Sequence, residues 1–276
     1  METFEGKVVI VTGASSGIGR ALALQLSMEN ASLVLAARNE VRLGDLRNLC
    51  QRNGAKAIAI KTDVSNESQC KQLIQKTILE FGRLDTIINN AGMAVASDLD
   101  ALPDLHLFKQ VVDVNFYGTV QCTYYALPYL RKNAGRIVNI SSLGGVFAVP
   151  SNASYVASKA AIIGFSDSLR MELAGSGVSV TVICPYWVVS EFHEHYLDKD
   201  GLPRGPSGRA FYTDRMMTSE KCARIIVKAA RNRKREILLG PGRLGAIIRQ
   251  VAPSLVDKIT MGVVLKPIQK RIGDRN

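Results

Sequence analysis

Tyr155 and Lys159 stand four residues apart in Tyr-Val-Ala-Ser-Lys, and Ser142 lies thirteen residues before the tyrosine. On a helix, positions i and i+4 share one face. An ammonium beside a phenol favours the ionised form, so this spacing predicts a tyrosine whose pKa is drawn below its ordinary value of about 10. Such a phenol exchanges protons near a working pH, and a nearby serine hydroxyl holds a carbonyl oxygen where the proton is passed. The pair alone is common, since roughly 0.4 such matches arise by chance in a chain of this composition. Its meaning depends on what the rest of the chain builds around it.

The amino-terminal end supplies a second site. Lys7 to Thr12 is a short β-branched run, followed by Gly13-Ala-Ser-Ser-Gly-Ile-Gly19 and then by the helical pattern Ala21 to Leu26. Gly13, Gly17 and Gly19 permit a tight turn and close backbone approach. Ser15, Ser16 and Ile18 complete a loop that offers free N–H groups at a helix N-terminus, where a pyrophosphate is held. The spacing is G-x-x-x-G-x-G rather than G-x-G-x-x-G, and an ordinary turn between strand and helix is the alternative.

The same rhythm continues along the chain. Strands are expected at Leu33 to Ala37, Ala57 to Ile60, Leu84 to Ile88, Gly135 to Ile140 and Val178 to Ile183. Ile237 to Leu239 adds a seventh, edge strand, and helices are expected at Glu67 to Phe81 and Leu105 to Arg131. Apolar strands alternating with helices predict an α/β fold, a doubly wound parallel seven-stranded sheet covered on both faces. Such a sheet binds a dinucleotide at its carboxyl edge.

These pieces, in their order, resemble the short-chain dehydrogenase/reductases over roughly residues 5 to 240. The resemblance rests on Thr12 to Gly19, Asp63-Val64, Asn89-Asn-Ala-Gly92, Asn115, Ser142, Tyr155 with Lys159, and Pro185 to Ser190. It implies that Tyr155 is the general acid/base, that Lys159 lowers its pKa and bonds the nicotinamide ribose, and that Ser142 polarises the carbonyl. Asn115 would anchor a water between Lys159 and solvent. Asn90, Ala91 and Gly92 would let backbone approach the adenosine ribose. Asp63 would meet the adenine amine, with Val64 packing on the ring. Pro185, Val188 and Ser190 would border the nicotinamide. Local roles compete: Ser141 is adjacent to Ser142, Asn115 can bond its own helix, and Asp63 can serve as an N-cap.

Cofactor choice turns on the end of the second strand. A site selective for NAD usually places a carboxylate there, and this chain has Ala37 followed by Arg38. An arginine grips a 2′-phosphate in a bidentate fork, so NADP(H) is expected over NAD(H). Ser16 stands where NADP-dependent relatives often carry a second basic residue. Pro185-Tyr186 departs from the family's Pro-Gly and would set Tyr186 and Trp187 beside the nicotinamide. Residues 191–217, with His193, His195, Tyr196, Phe211 and Tyr212, are expected to form a lid. His193 and His195 do not share a helix face and lack a third ligand, so no metal site is expected.

The formal charge of +11 is lopsided: residues 231–276 carry 11 Lys and Arg against 3 Asp and Glu. Residues 1–242 are expected to form the catalytic domain and 243–276 a basic amphipathic extension, interrupted near Pro253. Leu244, Ile247, Ile248, Val251, Leu255, Val256, Ile259, Val263 and Val264 supply its apolar positions, with Arg243, Arg249, Lys258, Lys266, Lys270 and Arg271 around them. It has two readings, a peripheral contact with an anionic membrane or a segment packed on the domain as lid or dimer contact. Nothing supports nucleic-acid binding beyond charge. The early first strand, five scattered cysteines and lack of a long apolar run fit a cytoplasmic protein. The resemblance also implies a homodimer or homotetramer, through helices near 105–131 and 153–174. The expected activity is interconversion of a hydrophobic ketone or aldehyde with its alcohol, as a carbonyl reductase. The alternative is a cofactor-binding regulator or scaffold with little turnover.

Overall fold

The structure is a computed structural model that describes residues 3–211, 216–240 and 242–262. Strand β1 (Val8–Thr12) reads as an unbroken apolar run because both of its faces are buried. Val9 and Val11 enter one core with α1 (Gly17–Ser27), α2 (Glu40–Arg52) and α7 (Ser219–Arg231). Val8 and Ile10 enter the other, against α3 (Glu67–Phe81), α5 (Gly118–Lys132) and α6 (Ala153–Glu172). Strand β2 (Ser32–Ala37) divides the same way, Leu33 and Leu35 to one side and Val34 and Ala36 to the other.

The remaining strands are β3 (Ala57–Lys61), β4 (Thr86–Asn89), β5 (Arg136–Ile140), β6 (Ser179–Cys184), β7 (Val188–Val189), β8 (Met217–Thr218) and β9 (Glu236–Leu238). The main sheet runs β3-β2-β1-β4-β5-β6-β9, parallel throughout among the described residues. Chain order reverses between β1 and β4, the switch point at which doubly wound sheets bind ligands. Val188 and Val189 pair with Met217 and Thr218 in a separate two-stranded ribbon.

Two elements differ from the sequence expectation. The fourth strand begins at Thr86 rather than Leu84, because the Asp85 carboxylate turns back to accept from the Val8 amide at 2.9 Å. The helix expected over Leu105 to Arg131 is three pieces: α4 (His106–Val112), a π-helical turn at Asp113–Tyr117, and α5. The turn carries Asn115, and π-turns inside α-helices frequently mark functional sites. At the far end, α8 (Gly242–Val251) and α9 (253–262) follow β9, separated at Ala252 just before Pro253. The tail's Val263, Val264, Lys266, Lys270 and Arg271 lie outside the described residues, as do Tyr212 and the side chains of Phe211 and Arg243.

Candidate active site

The glycine loop after β1 is shaped by contact with the loop after β4. Gly13 adopts φ +64° and Gly17 φ +50°, the left-handed region that favours glycine. A Cβ on Gly13 would sit 2.8 Å from the Ala91 Cα, and one on Gly17 would sit 3.1 Å from the Ser190 Cβ. The Thr12 hydroxyl accepts from the amides of Asn90 (3.0 Å) and Ala91 (3.1 Å). In return, the Asn90 amide group donates to the carbonyl oxygens of Thr12 (3.0 Å) and Gly13 (3.3 Å). The Thr12 hydroxyl ties these loops together. Gly19 stands behind the wall, where the Gly13 carbonyl leaves no room for a Cβ.

A cleft of about 1750 Å³ runs from this cradle to residues 190–204, which follow β7. Gly13, Ser15, Ser16, Gly17 and Ile18 line its floor, with Asn90, Ala91 and Gly92 beside them. Arg38, Asp63 and Val64 line one end. Ala37 is buried at the end of β2 while Arg38 is exposed, and among the described residues no acceptor holds its guanidinium. Asp63 is not the cap of α3: Asn66 accepts from the Gln69 amide at 3.1 Å, and Asp63 Oδ1 closes a turn with the Ser65 amide and hydroxyl. The cradle and the open helix N-terminus fit a nicotinamide dinucleotide.

Where β5 ends, the two adjacent serines point apart. The Ser141 hydroxyl is buried and donates to the Lys159 carbonyl oxygen at 2.7 Å. Ser142 faces the cleft beside Tyr155 and accepts from the Gly144 amide at 3.0 Å. The Lys159 ammonium, 4% exposed, donates to the Ile140 carbonyl oxygen at 2.9 Å and lies 5.7 Å from the Tyr155 ring centroid. Asn115 is fully buried behind Gly92. Its Oδ1 accepts from the Met93 amide at 2.8 Å, and its Nδ2 donates to the Met93 carbonyl (3.0 Å) and the Ser158 hydroxyl (2.9 Å). The Asn115 side chain is therefore a clamp between the π-turn, the loop after β4 and α6.

One electrostatic expectation is reversed. Burial pushes the Tyr155 phenol up to about 12, the hydrogen bond with Ser142 pulls it partly back, and Cys184 adds a further upward push. Burial also pushes Lys159 down to about 8. Desolvation of both groups outweighs the expected pull of Lys159 on the phenol.

Beyond Tyr155 the cleft is walled by aromatics. Phe192 lies 6.0 Å from the Tyr155 ring, and Tyr196 meets Phe192 edge-on at 5.1 Å. Trp187 stacks on His193 at 5.3 Å. Burial pushes the His193 imidazole down to about 4, aided by Arg204, so it is neutral at physiological pH. Among the described residues no group of three metal-ligating side chains occurs. Pro185, Val188 and Ser190 line the cleft. Tyr186 lines it too, but packs on Gly240, whose φ of +64° leaves a Cβ position 3.1 Å from the tyrosine's own. Residues 190–204 are pinned to the loop after β4 through Leu197, whose amide donates to Ala94 and whose carbonyl accepts from Ala96.

The tail completes the enclosure, and sequence reading missed how. Gly242 abuts Leu143 and Gly245 abuts Phe147, so α8 rests on the segment just after Ser142. Arg249 Nη1 donates to the Val146 carbonyl oxygen. Leu244, Ile248, Val256 and Ile259 line the cleft, as does Phe147. Phe192 lay inside the expected lid, whereas nothing in the spacing around Phe147 marks it.

Comparison with known proteins agrees with this architecture. The family model for short chain dehydrogenases matches residues 7–200. An 11-beta-hydroxysteroid dehydrogenase of Pinus massoniana is 38% identical over 241 residues, 83% of this chain and 65% of that protein. The 11-beta-hydroxysteroid dehydrogenase 1A of Arabidopsis thaliana is 40% identical over 191 residues, 69% of this chain and 54% of that protein. The chain thus spans well under the full length of these relatives. A dehydrogenase/reductase SDR family protein 7-like of Dictyostelium discoideum is 30% identical over 97% of this chain and 85% of its own. The crystal structure of a short chain dehydrogenase/reductase from Burkholderia phymatum in complex with NAD superposes with a TM-score of 0.81 at 26% identity, covering 92% of this chain and 96% of that one. With its switch-point cradle, its Ser-Tyr-Lys cluster and these matches, the chain belongs to the short-chain dehydrogenase/reductase family.

Proposed function

We propose that this chain is an NADP(H)-dependent oxidoreductase that interconverts a hydrophobic ketone or aldehyde with its alcohol. The observation that carries the reading is the convergence of Ser142, Tyr155 and Lys159 on a cleft whose far end is the glycine cradle. When bound, the nicotinamide dinucleotide supplies or accepts the hydride. Gly13 to Gly19 and Asn90 to Gly92 would hold its phosphates and ribose, and Arg38 its 2′-phosphate.

The chain's own part is proton transfer and positioning. Ser142 Oγ, held by the Gly144 amide, orients the substrate oxygen. Tyr155 donates its proton to that oxygen in reduction and removes it in oxidation. A phenol held near 12 by burial carries its proton at neutral pH, the form that reduction requires. Lys159, anchored on Ile140, places its charge beside the phenolate left behind, and Asn115 fixes the backbone on which Gly92 and Met93 sit. Phe192, Tyr196, Trp187 and Phe147 exclude water and offer an apolar surface to the substrate.

The relatives named for 11-beta-hydroxysteroids make steroids a first substrate class to test beside retinal, quinones, aromatic ketones and fatty aldehydes. Oxidation of NADPH and NADH across that panel, with Tyr155→Phe alongside, is the test. Turnover that is preferentially NADPH-linked and lost in the variant supports the reading, and equal turnover by the variant rejects it.

A further inference from the structure

Helices α8 and α9 have two apolar faces, and only one is used by the fold. Gly242, Gly245, Ile248 and Val256 face Leu143, Phe147 and the cleft. On the other side, Ile247, Val251 and Leu255 are spaced four residues apart and point to solvent, Val251 being 81% exposed. Leu244 and Ile259 stand at the rim between the two faces, lining the cleft while more than half exposed. An unpartnered row of large aliphatic side chains along two successive helices is an interaction surface.

Charge selects the occupant. From residue 242 onward the chain carries 7 Lys and Arg against 2 Asp and Glu, and Lys258 stands exposed on α9. A second copy joined by a two-fold axis would set this basic segment against itself, since the same patch faces both ways in such an interface. An anionic bilayer meets both requirements, with aliphatic side chains in the acyl region and lysines and arginines among the headgroups. No described helix is long and apolar enough to cross a membrane.

We propose that the outer face of α8 and α9 docks on the surface of an anionic lipid bilayer. Docking sets the cleft mouth against the lipid, because Leu244 and Ile259 both line the cleft and are more than half exposed. A substrate dissolved in the acyl layer then enters the cleft that Ser142 and Tyr155 line. This delivery step, unlike the docking, rests on the oxidoreductase reading.

The test is flotation of the full chain with vesicles of phosphatidylcholine alone or mixed with phosphatidylserine, at low and high salt. Ile247→Glu/Val251→Glu is run in parallel, since neither residue lines the cleft, and its melting curve verifies folding. The expected result is flotation with the phosphatidylserine vesicles, weakened by salt and reduced about tenfold or more in the folded double variant. Absence of flotation at low salt overturns the proposal, as does a double variant that floats like the parent. Light scattering that shows a dimer dissociated by the same two substitutions, without vesicle binding, overturns it in favour of a second copy. Flotation without turnover on any lipid-borne carbonyl leaves docking standing and sinks the oxidoreductase reading instead.

Discussion

The Lys159 ammonium donates to the Ile140 carbonyl oxygen at 2.9 Å, so the charged end of an α6 side chain is tethered to the last residue of β5. Ser141 and Ser142 follow at once on the same strand end, and Ser141 returns the tie by donating to the Lys159 backbone. The two links fix α6 against β5 from both directions, and that sets where the Tyr155 hydroxyl meets Ser142.

Tyr155→Phe removes the proton donor while keeping the ring against Phe192. Turnover is expected to fall by about 10²- to 10⁴-fold. Cofactor affinity, read by fluorescence titration, is expected to hold within a factor of a few.

The paired serines give a separable experiment. Ser142→Ala should lower kcat strongly with little change in melting temperature. Ser141→Ala should leave kcat closer to the parent and cost about 1 kcal/mol of stability, the net worth of its buried hydrogen bond. The opposite pattern in the two sets of data would exchange their roles.

Lys159→Met trades function for stability. In the folded protein Lys159 is pushed from 10.5 down to about 8, so its protonated form opposes folding. Below pH 8 both folded and unfolded chains carry the proton, and the penalty is present in full. Between pH 8 and 10.5 the folded chain releases the proton first, so parent stability rises with pH. The methionine variant is therefore expected to be more stable at pH 7 by ~2 kcal/mol, after loss of the bond to Ile140 is counted. That advantage should shrink as pH climbs past 8, while activity is largely lost. Denaturant titrations at pH 7 and pH 10 check both signs.

Arg38→Ala should raise the KM for NADPH by about tenfold or more and leave that for NADH little changed, because only the former carries a 2′-phosphate. Steady-state kinetics with both cofactors reads the ratio, and an unchanged ratio would place the selectivity elsewhere.

Much of this architecture was legible in the residues because burial on both faces leaves a plain mark. The strands read as β-branched runs, and the glycines of the cradle lie where backbone meets backbone. The π-turn was not legible, since the sequence around Asn115 is compatible with a continuous helix and the extra residue is fixed by the clamp on Met93. Strands β7 and β8 are two residues each and exist only through one another. The pKa of Tyr155 was misjudged because i, i+4 spacing conveys proximity but not desolvation. The tail's periodicity showed apolar positions all round, and only packing on Leu143 and Phe147 reveals which of them face inward.

The π-turn has a consequence for chain length. It adds one residue to an otherwise regular helix, and each residue turns an α-helix by about 100°. Deleting a single residue between Asp113 and Tyr117 would restore uniform winding at the expense of phase. Either Asn115 would swing away from Met93, or Cys122, Ala126 and Leu130 would rotate off the core they fill. The frame of this helix is thus set by a count of residues, and substitutions of side chains should be tolerated there better than any change in their number.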